Sequence, residues 1–409
     1  MTALLPLSFL WKVWSTIRNY VVFQMNSAPK MHDMKVKEVQ RQVKKWLSGD
    51  RSTRLCTARP TWQTMSFRQG LYKKTFTNIK INLVDILEVD TQNMDENPDL
   101  YYAVPWSYGT FGFLTSVVIK VIPAKKYVRV QYHPYTSLEG LAKRFREEAL
   151  KKNPHEFVEA LLYNKDAGVV MIGDMADEVG RDGKLNRIGD WHAEWFFKQV
   201  ERHLKRKRSA VEYIPLRDYY HRHTRSFFWE LQDIIPFGNN PVFRFLFGWL
   251  MPPEVALLKL TQPEAVTKLY DRAHVIQDML VPIECLEESV DLFHREFEVY
   301  PVWLCPFRVF NNPGQLKIKV ADSQMFVDIG VYGVPKAKGF ETVSSTRRVE
   351  KFVTQHSGFQ MLYADTYTTR EEFRQMFDHT LYDRVRDSLP YCKEAFPEIY
   401  GKVNKSVRK

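Results

Sequence analysis

Two glycines, Gly109 and Gly112, bracket a threonine and a phenylalanine at the start of an apolar stretch, in the run DLYYAVPWSYGTFGFLTSVVIK (99–120). Glycine has no Cβ, so the backbone there can approach a flat or anionic ligand closely, and its amides can donate to phosphate or carbonyl oxygens. The sequence therefore predicts that Gly109, Thr110, Phe111 and Gly112 contact a cofactor. The alternative is a tight turn without a ligand, which is common where G-x-x-G precedes a strand.

A second candidate is the pair His221 and His223 in the run DYYHRHTR (218–225). A metal site would need a third and a fourth ligand, and none stands nearby at a useful spacing. The sequence therefore predicts no metal site, and it favours a polar aromatic turn or strand that lines a cleft. The alternative is that these histidines help to position a cofactor or a substrate.

The segment from 227 to 253 is rich in aromatic residues and is broken into short pieces by proline and glycine. The aromatic residues are Phe227, Phe228, Trp229, Phe237, Phe243, Phe245, Phe247 and Trp249. Core packing is the simpler interpretation for most of them, but a lid over an apolar cleft or a second membrane contact fits some members better. We predict that Asn239, Asn240 and Trp249 contact the substrate.

The bulk composition narrows the class of protein. Lys and Arg number 59 against 48 Asp and Glu, a net charge of +11, which suits nucleic acid, an anionic membrane surface or an anionic cofactor. The basic run LKRKR (204–208) has no accompanying nucleic-acid motif, so we predict no nucleic-acid partner. The four cysteines stand far apart with no C-x-x-C pair, which argues against a disulfide scaffold and fits a reducing compartment.

The run from Leu4 to Phe23 is apolar and aromatic but is interrupted by Lys12 and Arg18, so it fits neither a bilayer span nor a signal peptide cleanly. Its tryptophans and tyrosine suit the interface between headgroups and acyl chains. A buried amphipathic helix is the alternative. The basic residues between 30 and 45 favour a cytosolic position for the globular part that follows.

The elements that must position these residues follow from hydrophobic periodicity and turn residues. Helices are predicted at 31–47, 138–151, 285–298 and 345–356, and strands at 79–90, 113–121, 127–133, 157–163, 168–173, 300–306, 325–330 and 359–363. This loose order of strands and helices indicates an α+β fold rather than a doubly wound parallel sheet. A domain boundary is expected near 123–126.

Several long runs in the chain resemble one enzyme family. The stretch 99–120 is similar to the end of the flavin-binding domain in the vanillyl-alcohol oxidase and p-cresol methylhydroxylase (PCMH) superfamily, with its D-L-x-x-A and G-x-x-G. Along nearly its whole length the chain resembles the delta-24 sterol reductase family. The runs that carry this resemblance include YKKTFTNIKINLVDILEVDT, YYAVPWSYGTFGFL, EYIPLRDYYHRHTRSFFWELQDIIPFGNNP, VIQDMLVP and GFQMLYADTY.

The resemblance implies an enzyme that binds FAD non-covalently, takes electrons from NADPH and reduces the side-chain delta-24 double bond of a sterol. It also implies an endoplasmic reticulum membrane location, with sterol and membrane lipid as partners and the globular part in the cytosol. Residues Gly109 to Gly112 would then contact the flavin. Because reduction of an alkene needs a proton as well as a hydride, we predict that Tyr363, flanked by Asp365 and Tyr367, is the proton donor. A half-buried structural tyrosine is the alternative.

One departure from the family pattern bears on the cofactor. In the family, the strands that end near ILEVDT continue into a further strand, a helix and a glycine-rich loop that cradles the FAD pyrophosphate. In this chain Asp90 runs through TQNM directly to DENPDLYYAVPW, so a segment the size of a small domain has no counterpart. We therefore expect weakened FAD binding. The alternative function is a catalytically impaired protein that binds only sterol or membrane.

These observations predict three parts: a membrane anchor or interfacial helix (1–24), a shortened PCMH-type FAD-binding domain (25–125), and a cap or substrate domain with the C-terminal region (126–409).

Overall fold

A computed structural model describes residues 4–25, 31–58, 75–81, 83, 97–117, 119, 121–252, 274–316, 318, 320 and 322–407 of the chain. Within these ranges the helices are α1 (Leu4–Met25), α2 (His32–Leu47), α3 (Pro98–Ala103), α4 (Leu138–Ala149), α5 (Phe196–Arg206), α6 (Leu216–Tyr220), α7 (Leu231–Ile234), α8 (Pro241–Phe247), α9 (Leu286–Glu296), α10 (Thr342–Gln355), α11 (Arg370–Met376), α12 (Thr380–Ser388), α13 (Cys392–Ala395) and α14 (Ile399–Val403). Single 3-10 turns occur at Thr224–Ser226, Gly248–Leu250 and Ile283–Cys285. The strands are β1 (Leu55–Thr57), β2 (Thr77–Ile79), β3 (Tyr127–Tyr135), β4 (Phe157–Leu162), β5 (Gly168–Ala176), β6 (Lys184–Leu185), β7 (Ala210–Pro215), β8 (Val275–Pro282), β9 (Val302–Phe310), β10 (Ser323–Gly333) and β11 (Phe359–Gln360).

Nine strands form one sheet in the order β11-β8-β10-β9-β4-β5-β3-β7-β6. The pairs are antiparallel except for the short parallel pair of β6 and β7. The register places Asp278 opposite Gly330, and Asp328 opposite Cys305. Side chains that lie opposite each other on neighbouring strands share a sheet face, so these positions point the same way.

Helices α4, α9 and α10 contribute to the largest hydrophobic core of the protein, together with strands of this sheet. Helix α4 begins where the Ser137 hydroxyl accepts a hydrogen bond from the Gly140 amide (3.3 Å), and it buries Leu141 and Phe145 completely. A serine at this position satisfies a backbone donor that the first turn of the helix leaves without a partner. Burial of such apolar side chains is the main force that holds the helices on the sheet.

A second hydrophobic core packs α5 and the aromatic segment after it against other strands of the sheet. Trp229 is 1% exposed, and its indole Nε1 donates to the Tyr332 carbonyl of β10 at 2.8 Å. Trp229 is thus a core residue, and Phe227 and Phe228 pack half-buried against the same core. Core packing does not hold for most of the eight aromatic residues, because four of them, Phe237, Phe245, Phe247 and Trp249, are exposed.

The amino-terminal part contains the small parallel pair of β1 and β2, with Leu55 opposite Thr77. Leu55 and Ile79 are buried against Val39 and Trp46 of α2 in a cluster that also includes residues of α13. Residues far apart in the sequence therefore close one hydrophobic cluster, and the carboxy-terminal helices are part of the structure that surrounds the 99–112 stretch.

Most predicted elements are confirmed to within a few residues: the helices at 31–47, 138–151, 285–298 and 345–356, and the strands at 127–133, 157–163, 168–173, 300–306 and 325–330. The mixture of helices with one mainly antiparallel sheet agrees with the α+β class. The predicted strand at 359–363 is only two residues long, because the Ala364 amide donates back to the Met361 carbonyl (3.3 Å) and turns the chain. Of the predicted strand at 79–90, residues 82 and 84–90 lie outside the described residues, and so does the junction between Asp90 and Asp95.

The predicted strand at 113–121 is wrong: its described residues, 113–117, 119 and 121, form no strand. Leu114, Val117 and Ile119 are instead 65%, 68% and 66% exposed. A strand needs a neighbour to pair its backbone N–H and C=O groups, and no described strand pairs with this segment. The apolar pattern that indicates a buried strand is therefore left facing outward.

Helix α1 has 22 residues and exposes apolar side chains along most of its length. Across the described part of the chain, no helix has both the length and the apolar character that a bilayer crossing requires.

Candidate active site

Tyr363 lies just after β11, where the chain turns at the edge of the nine-stranded sheet. The turn is fixed to β8 because the Met361 amide donates to the Asp278 carbonyl at 3.0 Å. The Tyr363 side chain is half-buried, and its phenol donates a hydrogen bond to Oδ2 of Asp278. The predicted proton donor therefore contacts a carboxylate that the sequence analysis did not single out.

Asp278 accepts a second hydrogen bond, from the phenol of Tyr332 on β10. Gly330 lies opposite Asp278 in the sheet. A Cβ at position 330 would lie 2.6 Å from the Tyr332 hydroxyl oxygen and 2.9 Å from the Asp278 carboxylate. Only glycine leaves enough room there for the hydrogen bond between Tyr332 and Asp278.

Asp328 is a second buried carboxyl on the same strand face, and within the described residues its Oδ1 has no hydrogen-bond partner. Burial raises the pKa of Asp278, although the phenols of Tyr332 and Tyr363 act in the opposite direction. Burial and the charge of Asp278 hold the pKa of Asp328 well above its usual range. Asp278, Asp328, Tyr332 and Tyr363, the acid cluster, therefore retain a proton at a pH where exposed carboxyls have lost theirs.

The negative charge of a different buried carboxylate, Glu159 on β4, is balanced by a guanidinium and by further hydrogen-bond donors. It accepts from the Arg222 guanidinium at 2.8 and 2.7 Å, from Trp303 Nε1 at 2.8 Å and from the Tyr219 hydroxyl at 3.2 Å. Burial by itself raises the pKa of Glu159, but Arg222 and His223 together hold it well below its usual range. Glu159 therefore stays ionised, in contrast to the acid cluster.

A cavity of about 290 Å³ lies beside Glu159 and Arg222. Its lining includes Phe157, Glu159, Tyr219, Arg222, Cys305 and Met325. Cys305 is directly opposite Asp328 on the neighbouring strand, so the cavity and the acid cluster share one face of the sheet. The walls combine apolar and aromatic side chains with ionisable ones, since His155, Glu156 and Arg308 also line the cavity.

The predicted cofactor turn is held by the carboxy-terminal helices. Gly109 has a φ of +66°, a conformation that favours glycine. Thr110 is fully buried: its hydroxyl hydrogen-bonds with the Tyr382 hydroxyl at 2.7 Å, and its carbonyl accepts from Arg386 at 2.6 Å. Phe111 lies 5.0 Å from the Tyr382 ring, measured between ring centroids. These contacts fix the turn, and they show that Thr110 itself points into the protein.

Gly112 differs from Gly109 because its surroundings are open. A Cβ built on Gly112 would have no other heavy atom within 4 Å. A planar ring could therefore approach the backbone at Gly112, as the sequence predicts, whereas the Thr110 side chain is already occupied.

The turn and the acid cluster are linked through two aromatic residues. Trp106, three residues before Gly109, packs edge-on against Phe359 with ring centroids 5.5 Å apart. Phe359 belongs to β11, four residues before Tyr363. The structure thus brings the predicted cofactor turn and the predicted proton donor to the same edge of the sheet.

The predicted substrate residues lie elsewhere. Asn239 accepts from the Trp195 amide at 3.0 Å, and Asn240 accepts from the Val242 amide at 2.9 Å, so both amide side chains cap helix starts. Trp249 is 49% exposed and contacts Phe9 of α1. Their substrate role stays a prediction, but the structure does not place them with Tyr363 or with the turn at 109–112.

The two histidines at 221 and 223 separate in the structure. His221 is exposed, whereas His223 is buried and stacks on Phe228 with ring centroids 5.0 Å apart. Its Nε2 lies 3.8 Å from the Glu159 carboxylate. Among the described residues no group of three His, Cys, Asp or Glu side chains has an arrangement that could hold a metal ion.

The sequence analysis missed Asp278, Asp328, Gly330 and Tyr332. A signal exists in the run MFVDIGVYG (325–333), where an acidic residue and a glycine interrupt an otherwise apolar strand. Charged residues are rarely buried without a specific partner, and glycine within a strand often marks a close approach of other groups. The partner strand could not be identified without the sheet register.

Comparison with known proteins shows that the chain is similar to delta(24)-sterol reductases. The delta(24)-sterol reductase of Homo sapiens is 44% identical over 480 aligned positions, which cover 99% of this chain and 92% of the human protein. The Caenorhabditis elegans delta(24)-sterol reductase homolog is 40% identical over 493 positions, and the Arabidopsis thaliana delta(24)-sterol reductase is 40% identical over 362 positions, covering 82% of this chain. No protein-family model matches the chain.

These relatives place the chain in the oxidoreductase class of enzymes. More closely, the chain belongs to the delta(24)-sterol reductase family. The alignment with the human protein has 480 positions, but 99% of this chain is only about 405 residues. About 75 positions of the alignment therefore have no residue of this chain. This length agrees with the small-domain-sized segment that the sequence analysis expects to be missing.

Proposed function

We propose that this chain reduces the side-chain delta-24 double bond of a sterol, with FAD as cofactor and NADPH as electron source. The proposal rests on the family relationship and on one structural feature, the acid cluster, which shares a sheet face with a cavity of mixed apolar and charged lining. When bound, FAD that NADPH has reduced supplies a hydride to the alkene. The protein must supply the proton.

The acid cluster suits proton donation to an apolar substrate. With Asp278 ionised, the phenols of Tyr363 and Tyr332 both donate to it, so their protons point away from any substrate. When Asp278 takes up the proton that the cluster retains, its own O–H can donate to the Tyr363 oxygen. The Tyr363 hydrogen is then free to point toward an alkene carbon. Burial of the Asp278 carboxyl raises its pKa and so favours this state.

The residues at 109–112 fit one end of the flavin. Gly109 holds the turn, and Gly112 leaves open space against which the ring could lie. The pyrophosphate finds less support, because the sequence offers no other glycine-rich turn and about 75 family positions are missing. Two phosphate charges would then depend on other groups or on water, which weakens FAD binding.

A valine at Gly112 tests the place of the flavin. We expect Gly112→Val to lower the flavin content of the purified protein severalfold while changing stability by less than about 0.5 kcal/mol, since a side chain there meets open space. Flavin absorbance and thermal melting measure the two effects. Gly401→Val is the matched control, because a Cβ at Gly401 also has no atom within 4 Å. Equal flavin content in both variants would contradict a flavin at residues 109–112.

We also propose that the chain works at the endoplasmic reticulum membrane, with its globular part in the cytosol. A sterol is insoluble in water, so an enzyme that acts on it needs access to lipid. The exposed apolar residues of α1 and the tryptophans Trp11 and Trp14 support an interfacial helix.

A second candidate function is a protein that binds sterol or membrane but does not turn over. Two observations favour it: the 75 or so missing family positions, and the exposed apolar residues of the 113–122 segment, which would ordinarily have a strand beside them. In this alternative the cavity on the sheet face would bind the sterol without a flavin above it.

Reconstitution separates the two functions. The full chain is purified in detergent, incubated with excess FAD, and supplied with NADPH and a sterol that carries a delta-24 double bond. If the chain is the proposed enzyme, the protein should be yellow and the product should be about two mass units heavier than the sterol substrate, since a hydride and a proton add two hydrogens. A colourless protein that still binds the sterol supports the second function.

A further inference from the structure

The aromatic segment around α8 forms an apolar surface that the fold does not cover. Helix α8 contains no buried residue, and Val242 and Phe245 are both 66% exposed. Phe237, Leu246, Phe247 and Trp249 are also exposed. Soluble proteins rarely expose contiguous apolar patches of this size without a partner.

This surface is continuous with α1, although the two lie far apart in the sequence. Phe9 packs edge-on against Trp249 with ring centroids 5.0 Å apart. Leu5 and Ser8 are buried in the same contact region, and the first turns of α1 lie against Gly248–Leu250. The exposed apolar side chains of α1 and of residues 237–249 therefore form one joined surface, the apolar docking face.

The exposure of α1 indicates what covers this face. The exposed apolar side chains of α1 extend from Phe9 through Leu10 to Val22, which at about 100° per residue is an arc of roughly 220° around the helix axis. A groove on a protein partner, or a second copy of this chain, would cover one side of a helix and leave the others in water. A helix embedded at the acyl boundary of one leaflet buries such a wide apolar face in lipid.

Basic residues border the docking face, as an anionic leaflet requires. A groove of about 500 Å³ is lined by the cations Lys184, Arg187, Arg202 and Arg244. Arg244 belongs to α8, and Trp191, just outside the groove, lies 5.8 Å from Phe245 between ring centroids. On α1, the Arg18 guanidinium lies 5.9 Å from the Trp14 ring.

Some of this positive charge is compensated within the groove. Glu194 lies 2.8 Å from Arg202, and Glu212 lies 3.4 Å from Lys184, while Asp190 also lines the wall. Arg244 donates to the Asn239 carbonyl at 3.0 Å and to the His192 carbonyl at 2.8 Å. Arg187 is exposed, so it is the cation most open to lipid phosphates, and Arg244 adds its charge to the same groove.

We propose that the α8 segment is a second membrane contact, which together with α1 docks the protein on a bilayer leaflet that carries anionic headgroups. This inference rests on the membrane association proposed above. It assigns the 237–249 segment to the acyl region and the groove at Arg187 and Arg244 to the headgroup phosphates, in the arrangement typical of interfacial proteins.

The test uses the full chain and vesicles of phosphatidylcholine alone or mixed with phosphatidylserine, with the bound fraction measured by co-flotation. We expect the double variant Phe245→Ser, Leu246→Ser to lower the partition coefficient about tenfold or more on both vesicles, because two large apolar side chains no longer enter the leaflet. Arg187→Gln should lower binding only to the vesicles with phosphatidylserine. Phe310→Ser, at an exposed position on β9, is the matched control and should bind like the unsubstituted protein.

Three outcomes would overturn the inference. If Leu10→Ser, Ile17→Ser abolishes binding while the double variant at 245 and 246 binds normally, α1 is the sole contact and the proposed membrane association survives without the second one. If the unsubstituted chain binds neither vesicle, the membrane association itself fails. If light scattering shows a dimer that the same double variant converts to a monomer, a second copy covers this face. An unchanged thermal melting curve establishes that each variant is folded.

Discussion

Replacing Tyr363 by phenylalanine is expected to lower kcat for sterol reduction by about 100-fold to 10,000-fold, the usual contribution of a positioned general acid. The substitution removes only the hydroxyl that contacts Asp278, and the half-buried ring keeps its packing. Sterol binding and flavin content should therefore change little. Product formation by mass spectrometry and the KM for sterol measure the two effects separately.

Tyr332→Phe is the matched control for this prediction. Tyr332 donates to the same carboxylate, but it is 5% exposed and packs against Phe228 and Trp229, so its hydroxyl serves only to fix Asp278. We expect its kcat to fall much less than that of Tyr363→Phe. Equal losses in the two variants would mean that Tyr363 only positions Asp278 and does not donate the proton.

The acid cluster also predicts a pH dependence. The pKa values of Asp278 and Asp328 are raised. The protonated carboxyl that proton donation needs is therefore present at low pH and is lost as the pH rises through the raised pKa. The activity of the unsubstituted enzyme should decline on the alkaline side. Asp278→Asn cannot ionise, so it should lose this alkaline decline along with most of its activity. If the activity of Asp278→Asn still declines at alkaline pH, a group other than Asp278 causes the decline.

Breaking the buried ion pair at Glu159 is expected to have the largest effect on stability. Glu159→Leu leaves the Arg222 guanidinium, whose side chain is 15% exposed, without its carboxylate. Removal of one partner from a buried, hydrogen-bonded pair costs about 3–5 kcal/mol, because the remaining charge stays out of water. Urea denaturation of the variant and the unsubstituted protein measures the loss in the free energy of unfolding.

Two further variants show whether the uncompensated charge is the cause. The double variant Glu159→Leu, Arg222→Met removes both charges and should recover much of the stability, whereas Glu38→Ala, in the exposed pair with Arg41, should have no measurable effect. If the double variant is no more stable than Glu159→Leu, the loss comes from packing rather than from charge. Because the pKa of Glu159 is lowered on folding, its contribution is present above the usual carboxyl pKa and is lost as pH falls through the lowered value.

Local sequence pattern was sufficient for several strands of the large sheet and for the helices that pack on it. The alternation of β3, where every second residue from Val128 to Tyr132 is buried, follows from a strand with one covered face, and α4 follows from its serine cap and apolar spacing. The segment 113–121 has an equally apolar pattern and yet forms no strand. Periodicity reports what a segment is suited to, but a strand also needs another strand to pair with.

The residues of the candidate site also separate into those that local sequence predicts and those that depend on strand pairing. Gly109 and Gly112 stand close together in the sequence, so their turn and its backbone freedom could be predicted directly. Asp278, Asp328 and Tyr332 could not, because β8 and β10 are separated by a helix and another strand. The substrate contacts of Asn239 and Asn240 stay a prediction, and in the structure their side-chain oxygens accept from the amides of Trp195 and Val242.

The sequence by itself determined the family, the α+β class and the places of four helices and five strands, because long identical runs and hydrophobic periodicity are properties of neighbouring residues. Only the tertiary structure decided that Tyr363 contacts Asp278 across the sheet edge, that Gly330 makes room for Tyr332, and that α1 joins α8 in one exposed surface. Each of these depends on the register of strands or on the packing of distant segments. Register and packing are set by the burial of the whole chain at once, and no local run of residues contains them.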